Sequence, residues 1–211
     1  MTATTIIREP RWPALVAMVA AACLYLAMPR PLSFGPSWGL LAVIVVLLIP
    51  IVESNRRGRY NIARNLAFVA NGAITIAMIA SLGVLIQGIP SHREEPRALL
   101  RSAAALWITN VLVFALWYWK LDAGGPLVRE TSRGHLNSSF LFPQMLGEGG
   151  AETLWTPHFV DYLFLAFNTS TAFSPTDTAV LSRWAKMGMM LQSIVSLTIV
   201  ALLAARAVNV L

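Results

Sequence analysis

The chain has 211 residues, of which 56% are hydrophobic and 12% are charged, and its formal net charge is +6. A soluble domain of this length carries about twice that share of charged residues, so the composition excludes a chain surrounded by water and predicts an integral membrane protein. The arginines lie in short patches between apolar runs, which is typical of membrane topology and argues against a nucleic-acid partner. The single cysteine, Cys23, excludes an intramolecular disulfide.

Five apolar runs approach the length of about 20 residues that crosses a bilayer as a helix. They cover residues 12–28, 38–52, 66–86, 103–119 and 184–208. The first run follows two arginines, as the apolar part of a signal peptide does, but its length and the Pro-Arg-Pro sequence that ends it favour a membrane span. We therefore expect an all-α integral membrane protein with about five transmembrane helices.

These runs divide the chain into two parts. Residues 1–100 form a predicted three-helix membrane region, and residues 101–211 form a second unit. The second unit contains four predicted segments, which are an outer helix at 103–119, a polar loop at 120–156, a short segment at 157–177 and an inner helix at 184–208. A polar loop of this length in a small protein is usually functional or mobile.

The segment 157–177 begins as an apolar helix, predicted over 159–166, that is too short to cross a membrane. It then becomes rich in small hydroxyl residues and contains Pro175. This pattern favours a re-entrant loop, because non-helical backbone at membrane depth persists only where protein buries it or water lines it. A sixth, weakly hydrophobic span remains the alternative.

The polar end of this segment is the predicted functional site. Hydroxyls and backbone carbonyls gathered at membrane depth can replace the hydration shell of an ion, so a bound monovalent cation is the only cofactor that we expect. The pore- or filter-like candidates are Thr169, Ser170, Thr171, Ala172, Phe173, Ser174, Pro175, Thr176 and Asp177. Alternatively, these groups cap helix ends and bond neighbouring helices.

No pattern in the sequence predicts catalysis. The three histidines, His92, His135 and His158, are far apart and do not show a metal-ligand spacing, and no nucleophile or phosphate-loop motif is present. We therefore expect that the protein is not an enzyme and has no metal centre.

The order of residues around the candidate site resembles a known family. Phe167 precedes the threonines Thr169 and Thr171, and Asp177 closes the segment before a long helix. In this respect the chain from 167 to 206 resembles the pore module of the bacterial two-helix potassium-channel superfamily. Matching positions in the predicted inner helix are Lys186, Gln192, Ser196 in place of the hinge glycine, and Ala205-Arg206. The resemblance implies a pore-like fold, a homo-oligomer that is most plausibly a tetramer, and inner-helix roles for Gln192 and Ser196.

One departure limits this resemblance. Where the potassium-channel family has Thr-Val-Gly-Tyr-Gly, this chain has Ala-Phe-Ser-Pro-Thr at 172–176. The two glycines of the potassium-channel filter permit its left-handed backbone angles, and this chain lacks both. Pro175 in addition restricts its own φ angle. We therefore expect an ion-channel-like protein that passes a monovalent ion or small solute through a non-potassium-type filter. The alternatives are a non-conducting structural or accessory protein, and a small transporter or membrane enzyme that uses the long loop, with a polar cavity that involves Asp122, His135 or His158.

The second half of the chain also resembles an uncharacterised bacterial membrane-protein family. The shared motifs lie at 117–122, 124–126, 142–145 and 172–177, and they imply a bacterial inner-membrane protein without implying a function.

The orientation in the membrane is left open by two conflicting signals. The arginines at 56, 57, 59 and 64 predict that their end of the helices is cytoplasmic, and counting spans from there places the loop 120–156 on the same side. The channel resemblance implies that this loop lies outside.

Five polar residues in or near the spans have predicted structural roles. We expect Asn71, Gln87 and Asn110 to form interhelical hydrogen bonds rather than to line a pathway. Lys120 and Asp122 are predicted to form a pair at the membrane interface, with the long lysine side chain reaching towards water.

Overall fold

The computed structural model describes residues 9–26, 38–88, 96–131, 138–146, 155–171 and 177–208. In these ranges 85% of the structure is helical, so the predicted all-α class is confirmed. The α-helices are α1 (Trp12–Leu26), α2 (Gly39–Arg56), α3 (Tyr60–Gly88), α4 (Pro96–Leu121), α5 (Pro126–Thr131), α6 (Phe159–Thr171) and α7 (Arg183–Val208). Two short strands, β1 (Phe140–Leu141) and β2 (Ala179–Val180), pair in antiparallel orientation.

Among the described helices, α2, α3, α4 and α7 are long and apolar enough to cross a membrane. This finding agrees with the predicted membrane class. Helix α1 is apolar but has only 15 residues, and the last two residues of the first predicted span lie outside the described ranges. Helices α3 and α4 begin six or seven residues earlier than predicted, because each extends beyond its apolar part through a turn that carries an exposed arginine, Arg64 or Arg101.

Helix α4 is the central element of the bundle. It packs against α1, α3, α6 and α7. Helix α2 packs against α1 and α3. Most of the spanning part of α4 is buried by protein, but α7 presents a largely exposed apolar surface. Exposed apolar side chains of α7 are Met187, Met190, Leu191, Ile194, Leu197 and Val200.

A tight turn reverses the chain between α2 and α3. Gly58 adopts a φ of +72°, which a residue with a Cβ rarely does. Its N–H donates to the carbonyl of Asn55 (3.3 Å), and the N–H of Arg59 donates to the carbonyl of Ser54 (2.8 Å). This pair of bonds satisfies the last carbonyls of α2 and places the arginine-rich turn at one end of the bundle.

A second turn ends α4. Ala123, Gly124 and Gly125 all have positive φ angles, and the N–H of Gly125 donates to the carbonyl of Asp122 (2.8 Å). The chain continues directly into α5. The predicted loop 120–156 is thus not one irregular segment, because its described part contains the end of α4, α5, β1 and 3₁₀ turns at Asp122–Gly124 and Pro143–Met145.

Four helix ends meet where the arginine-rich turn lies, and we call this region the basic end. The start of α1 reaches the end of α2 through a hydrogen bond from Arg11 Nη1 to Asn55 Oδ1 (3.1 Å). It reaches the end of α4 through a hydrogen bond from Trp119 Nε1 to Glu9 Oε1 (2.7 Å). The start of α3 belongs to the same end, because it directly follows the Gly58 turn.

Helix α6 also begins at the basic end but does not run the length of the bundle. The N–H of Phe159 donates to Glu9 Oε1 (2.8 Å), and the backbone N–H of His158 donates to Asp161 Oδ2 (2.7 Å), which caps the first turn. The helix has 13 residues and is therefore about 20 Å long. Near its end, Ser170 contacts Ser196, which lies 13 residues or about 20 Å into α7.

The chain returns to the basic end before α7 begins. Val180 of β2 pairs with Phe140 of β1, and the Phe140 ring packs against Tyr162 in the first turn of α6 and Trp184 in the first turn of α7. Helices α6 and α7 consequently start at the same end and run in the same direction. The described chain after α6 therefore resumes, with β2, at the basic end.

Candidate functional site

The side chain of Gln192 is the centre of a buried polar network between α4, α6 and α7. Its Nε2 donates to the carbonyl of Ala166 (2.6 Å) and to Ser170 Oγ (2.8 Å), and its Oε1 accepts from the hydroxyl of Tyr118 (2.7 Å). All four of these residues are buried. A buried polar group that loses its hydrogen-bond partner is not compensated for the free energy of removing it from water. The three bonds of the Gln192 carboxamide therefore determine how the three helices pack.

Asn110 and Ser196 extend this network. Asn110 Nδ2 donates to the carbonyl of Gln192 (3.2 Å) and lies 3.4 Å from Ser170 Oγ. Ser196 Oγ donates to the carbonyl of Ser170 (2.5 Å) and accepts from Trp107 Nε1 (2.9 Å). Asn110 lies about 17 Å from the end of α4, so the network is deep in the bundle.

The predicted interhelical role is confirmed for the two asparagines, whereas Gln87 is exposed at the end of α3. Asn110 joins α4 to α7 and α6, and Asn71 Nδ2 of α3 donates to the carbonyl of Val113 in α4 (3.5 Å). The Oδ1 atoms of both asparagines are buried and have no hydrogen-bond partner among the described residues.

The network also satisfies the end of α6. The last four carbonyls of a helix have no partner within it. Here the hydroxyl of Ser193 donates to the carbonyl of Thr169 (3.2 Å), and Ser196 donates to that of Ser170. The side chains of α7 thus hold the carboxyl end of α6 at this depth.

The predicted site residues fall into three groups. Thr169, Ser170 and Thr171 belong to the last turn of α6, which continues five residues beyond the predicted end at 166. Thr169 Oγ1 donates to the carbonyl of Leu165, and Thr171 Oγ1 donates to that of Asn168. The segment 172–176, with Ala172, Phe173, Ser174, Pro175 and Thr176, lies outside the described residues. Asp177 is exposed and lies two residues before the start of β2. The structure brings together Ser170, Gln192 and Ser196.

A second buried cluster, which the sequence did not predict, surrounds Asp122 at the basic end. Its carboxylate is fully buried and accepts from Ser138 Oγ (3.1 Å), from the N–H of Ser139 (2.5 Å) and from the hydroxyl of Tyr162 (2.5 Å). These bonds hold the stretch 138–146 against α4 and α6. The partners of Asp122 are 16 to 40 residues away in the sequence. Near Asp122 itself, the sequence indicates only a turn, through Gly124 and Gly125.

Arg129 and Glu9 complete this cluster. Arg129 Nη1 donates to the carbonyls of Trp119 (2.8 Å) and Asp122 (2.9 Å), and Nη2 lies 3.5 Å from Glu9 Oε2. The guanidinium of Arg129 also lies over the ring of Tyr162, 5.1 Å from its centroid. Burial raises the pKa of Glu9 above its ordinary value of 4.5, and the nearby charge of Arg129 opposes this shift.

The predicted interfacial pair of Lys120 and Asp122 is wrong. Asp122 is bonded within its own cluster, whereas Lys120 Nζ donates to the carbonyl of Ala67 in α3 (2.5 Å). Both side chains are buried. Residues two positions apart at a helix end do not face each other, which explains why the two charges separate.

Comparisons with known proteins add no assignment: no protein family, curated protein or solved structure matches this chain. The resemblance to the potassium-channel pore module therefore stays a prediction.

Proposed function

We propose that the protein is an ion-channel-like membrane protein in which α4, α6 and α7 form the pore module. In this proposal α4 is the outer helix, α7 is the inner helix, and α6 with the segment that follows it is a re-entrant loop. Four copies of the chain surround a central path for a monovalent ion or a small solute.

One observation carries this proposal. Helices α6 and α7 start at the same end of the bundle, yet Ser170 at the end of α6 bonds Gln192 and Ser196 deep in α7. A sixth span would end at the opposite face, and α7 would then have to start there. A short helix that enters, stops at depth and returns is the arrangement that brings backbone carbonyls into a membrane where protein or water can surround them.

The buried network supports a positioned loop. It attaches the end of α6 to α4 and α7 through Gln192, Asn110 and Ser196, so that the segment 172–176 starts from a fixed point. The exposed apolar surface of α7 is suited to contact both lipid and neighbouring copies, which supports an oligomer.

The arginines support an orientation for this loop. Arg57 and Arg59 lie in the turn at the basic end, from which α6 enters. Because positive residues favour the cytoplasmic side, the loop in this proposal opens towards the cytoplasm, opposite to the orientation that the channel resemblance implies.

Ion flux through the purified protein in liposomes tests the function. Two variants address the candidate path, Asp177→Asn and Thr171→Val, and each has a matched control. Glu53→Gln changes an exposed carboxylate that pairs with Arg57, and Thr198→Val changes an exposed hydroxyl that bonds only within α7.

We expect selective flux of at least one monovalent cation that both site variants change and both controls leave intact. An absence of flux at every potential and pH in correctly folded protein would contradict the proposal and favour a structural or accessory role. Equal effects of site and control variants would contradict the assigned path.

The alternative of an enzyme or transporter built on the long loop predicted a polar cavity at Asp122, His135 or His158. The described residues form a cavity at the basic end, and neither Asp122 nor His158 lines it. The carboxylate of Asp122 instead accepts hydrogen bonds from Ser138 and Tyr162. His135 lies outside the described ranges.

A further inference from the structure

A cavity of about 180 Å³ lies at the basic end, on the side of α4 that faces α1 and α3. Its walls are the start of α1, the end of α2, the start of α3 and the turn between α4 and α5. The volume is several times the roughly 10–15 Å³ that a single water molecule requires, so the space suits a larger group. Apolar side chains, including Met18 and Ile51, form much of the lining.

Lys120 lines this cavity and is only 6% exposed. Its Nζ donates to the carbonyl of Ala67 (2.5 Å), and an ammonium group has three N–H donors. Among the described residues that line the cavity there is no aspartate or glutamate. A buried ammonium without an anionic partner is costly, so an anionic ligand would complete the described part of this site.

Two arginines add positive charge to the same cavity. Arg11 is positioned by its bond to Asn55 Oδ1 and by the ring of Tyr60, whose centroid lies 5.4 Å from the guanidinium. Arg64 also lines the cavity, and its side chain is exposed at the surface. The cavity therefore has one deep cation, one positioned guanidinium and one cation that solvent or a headgroup can reach.

We propose that this cavity binds the headgroup of an anionic phospholipid. The phosphate oxygens accept charge-assisted hydrogen bonds from Lys120, Arg11 and Arg64, and the acyl chains lie along the apolar surfaces of the helices. Basic pockets between transmembrane helices on the cytoplasmic side are suited to such headgroups, and the basic end is the cytoplasmic end by its arginines. The apolar part of the lining favours a lipid over a free phosphate, which has nothing to place there.

Native mass spectrometry of the purified full chain in neutral detergent tests this site. The probes are phosphatidylglycerol, phosphatidylcholine with identical acyl chains, and glycerol 1-phosphate, which has no chains. The variants are Arg64→Gln, in which the changed side chain is exposed, and Lys120→Gln. The matched control is Arg101→Gln, because Arg101 is an exposed arginine that does not line the cavity.

We expect phosphatidylglycerol to bind at least tenfold more tightly than phosphatidylcholine. Each site variant should weaken phosphatidylglycerol binding about fivefold, the effect of about 1 kcal/mol for one basic residue near an anionic lipid, and the control should not. Equal binding of the two lipids, or an equal effect of Arg101→Gln and Arg64→Gln, would overturn the proposal. Binding of glycerol 1-phosphate as tight as that of phosphatidylglycerol would overturn the lipid assignment. If Lys120→Gln does not fold, Arg64→Gln still decides the outcome.

Discussion

Ser196 Oγ donates a hydrogen bond of 2.5 Å to the backbone carbonyl of Ser170, which joins the middle of α7 to the last turn of α6. The bond satisfies a carbonyl that α6 itself cannot satisfy, and it is one of several that α7 supplies to this helix end. The position of a short helix that stops inside the bundle thus depends on polar side chains of its neighbour.

Replacing Gln192 with leucine tests how much this network stabilises the fold. The change leaves the hydroxyl of Tyr118 and the carbonyl of Ala166 without the partners that they have now. Because unpaired buried groups cost about 1–3 kcal/mol and interhelical bonds in membranes contribute about 0.6–2 kcal/mol, we expect the unfolding free energy to fall by about 2 kcal/mol. Unfolding in mixed micelles of neutral and denaturing detergent measures this difference.

The control for that experiment is Thr198→Val, since the Thr198 hydroxyl is exposed and bonds only the carbonyl of Ile194 in its own helix. We expect a change within about 0.5 kcal/mol. A loss for Gln192→Leu no larger than that of the control would show that the network does not determine the packing of α6.

A second prediction concerns the turn that ends α4. Gly125 has a φ of +97°, and a Cβ added there would lie 3.0 Å from the carbonyl oxygen of Lys120. We therefore expect Gly125→Ala to lower the unfolding free energy by more than 1 kcal/mol. Gly72→Ala is the matched control, because Gly72 lies inside α3 with open space around it, and there alanine should be neutral or stabilising by up to about 1 kcal/mol. The prediction fails if both variants unfold at the same denaturant concentration.

How far the sequence predicts the structure depends on whether a feature is local. The long apolar runs predicted the spanning helices, since twenty apolar residues in a row have few other uses. Their ends were predicted less well, as in α3 and α4, because a helix extends beyond the apolar part when exposed arginines can reach water. Hydrogen-bonding roles of Asn71 and Asn110 were also predictable, because an amide inside a span needs a partner.

Features that depend on distant pairing were not predictable. Nothing near Asp122 in the sequence indicates that Ser138 and Tyr162 surround its carboxylate. Gln192 was expected on the inner helix, but only the structure shows that its side chain points to α6 and α4 within the same chain. Nothing in the sequence indicates that Lys120 lines a cavity with Arg11 and Arg64, because Arg11 precedes α1, Arg64 lies in α3 and Lys120 lies in α4.

A third prediction uses the pH dependence of stability. Burial raises the pKa of Glu9, so the folded state binds a proton at this carboxyl more strongly than the unfolded state does. The contribution of Glu9 is therefore most favourable below about pH 4.5 and is lost as the pH rises through the folded-state pKa. In Glu9→Gln, which retains an oxygen acceptor for Trp119 and Phe159, this dependence should be absent.

The measurement is the difference in unfolding free energy between wild type and Glu9→Gln from pH 4 to pH 8. We expect the wild type to lose stability relative to the variant across this range. Arg129 and His158 both affect the pKa of Glu9, so the comparison is repeated in a His158→Gln background, which removes the contribution of that histidine. A difference that stays constant with pH would show that Glu9 does not titrate as its burial indicates.

The last prediction separates a re-entrant α6 from a sixth span. Cys23 is the only cysteine, so Cys23→Ser provides a background without thiols for single-cysteine labelling. In that background Arg57→Cys marks the basic end and Arg101→Cys marks the start of α4, whereas Asp177→Cys reports where the chain emerges after α6. All three positions are exposed, so a membrane-impermeant reagent can reach each thiol from its own side.

In a bilayer, the re-entrant arrangement requires that positions 57 and 177 label from one side and position 101 from the other, because β2 returns the chain to the start of α7 beside Phe140. By the arginine bias, the shared side should be the cytoplasmic one in intact cells. A crossing α6 would instead place 177 with 101, and that result would overturn the pore-loop topology. Labelling of 57 and 177 from the external side would preserve the topology but reverse the orientation, because the two positions would still share a face.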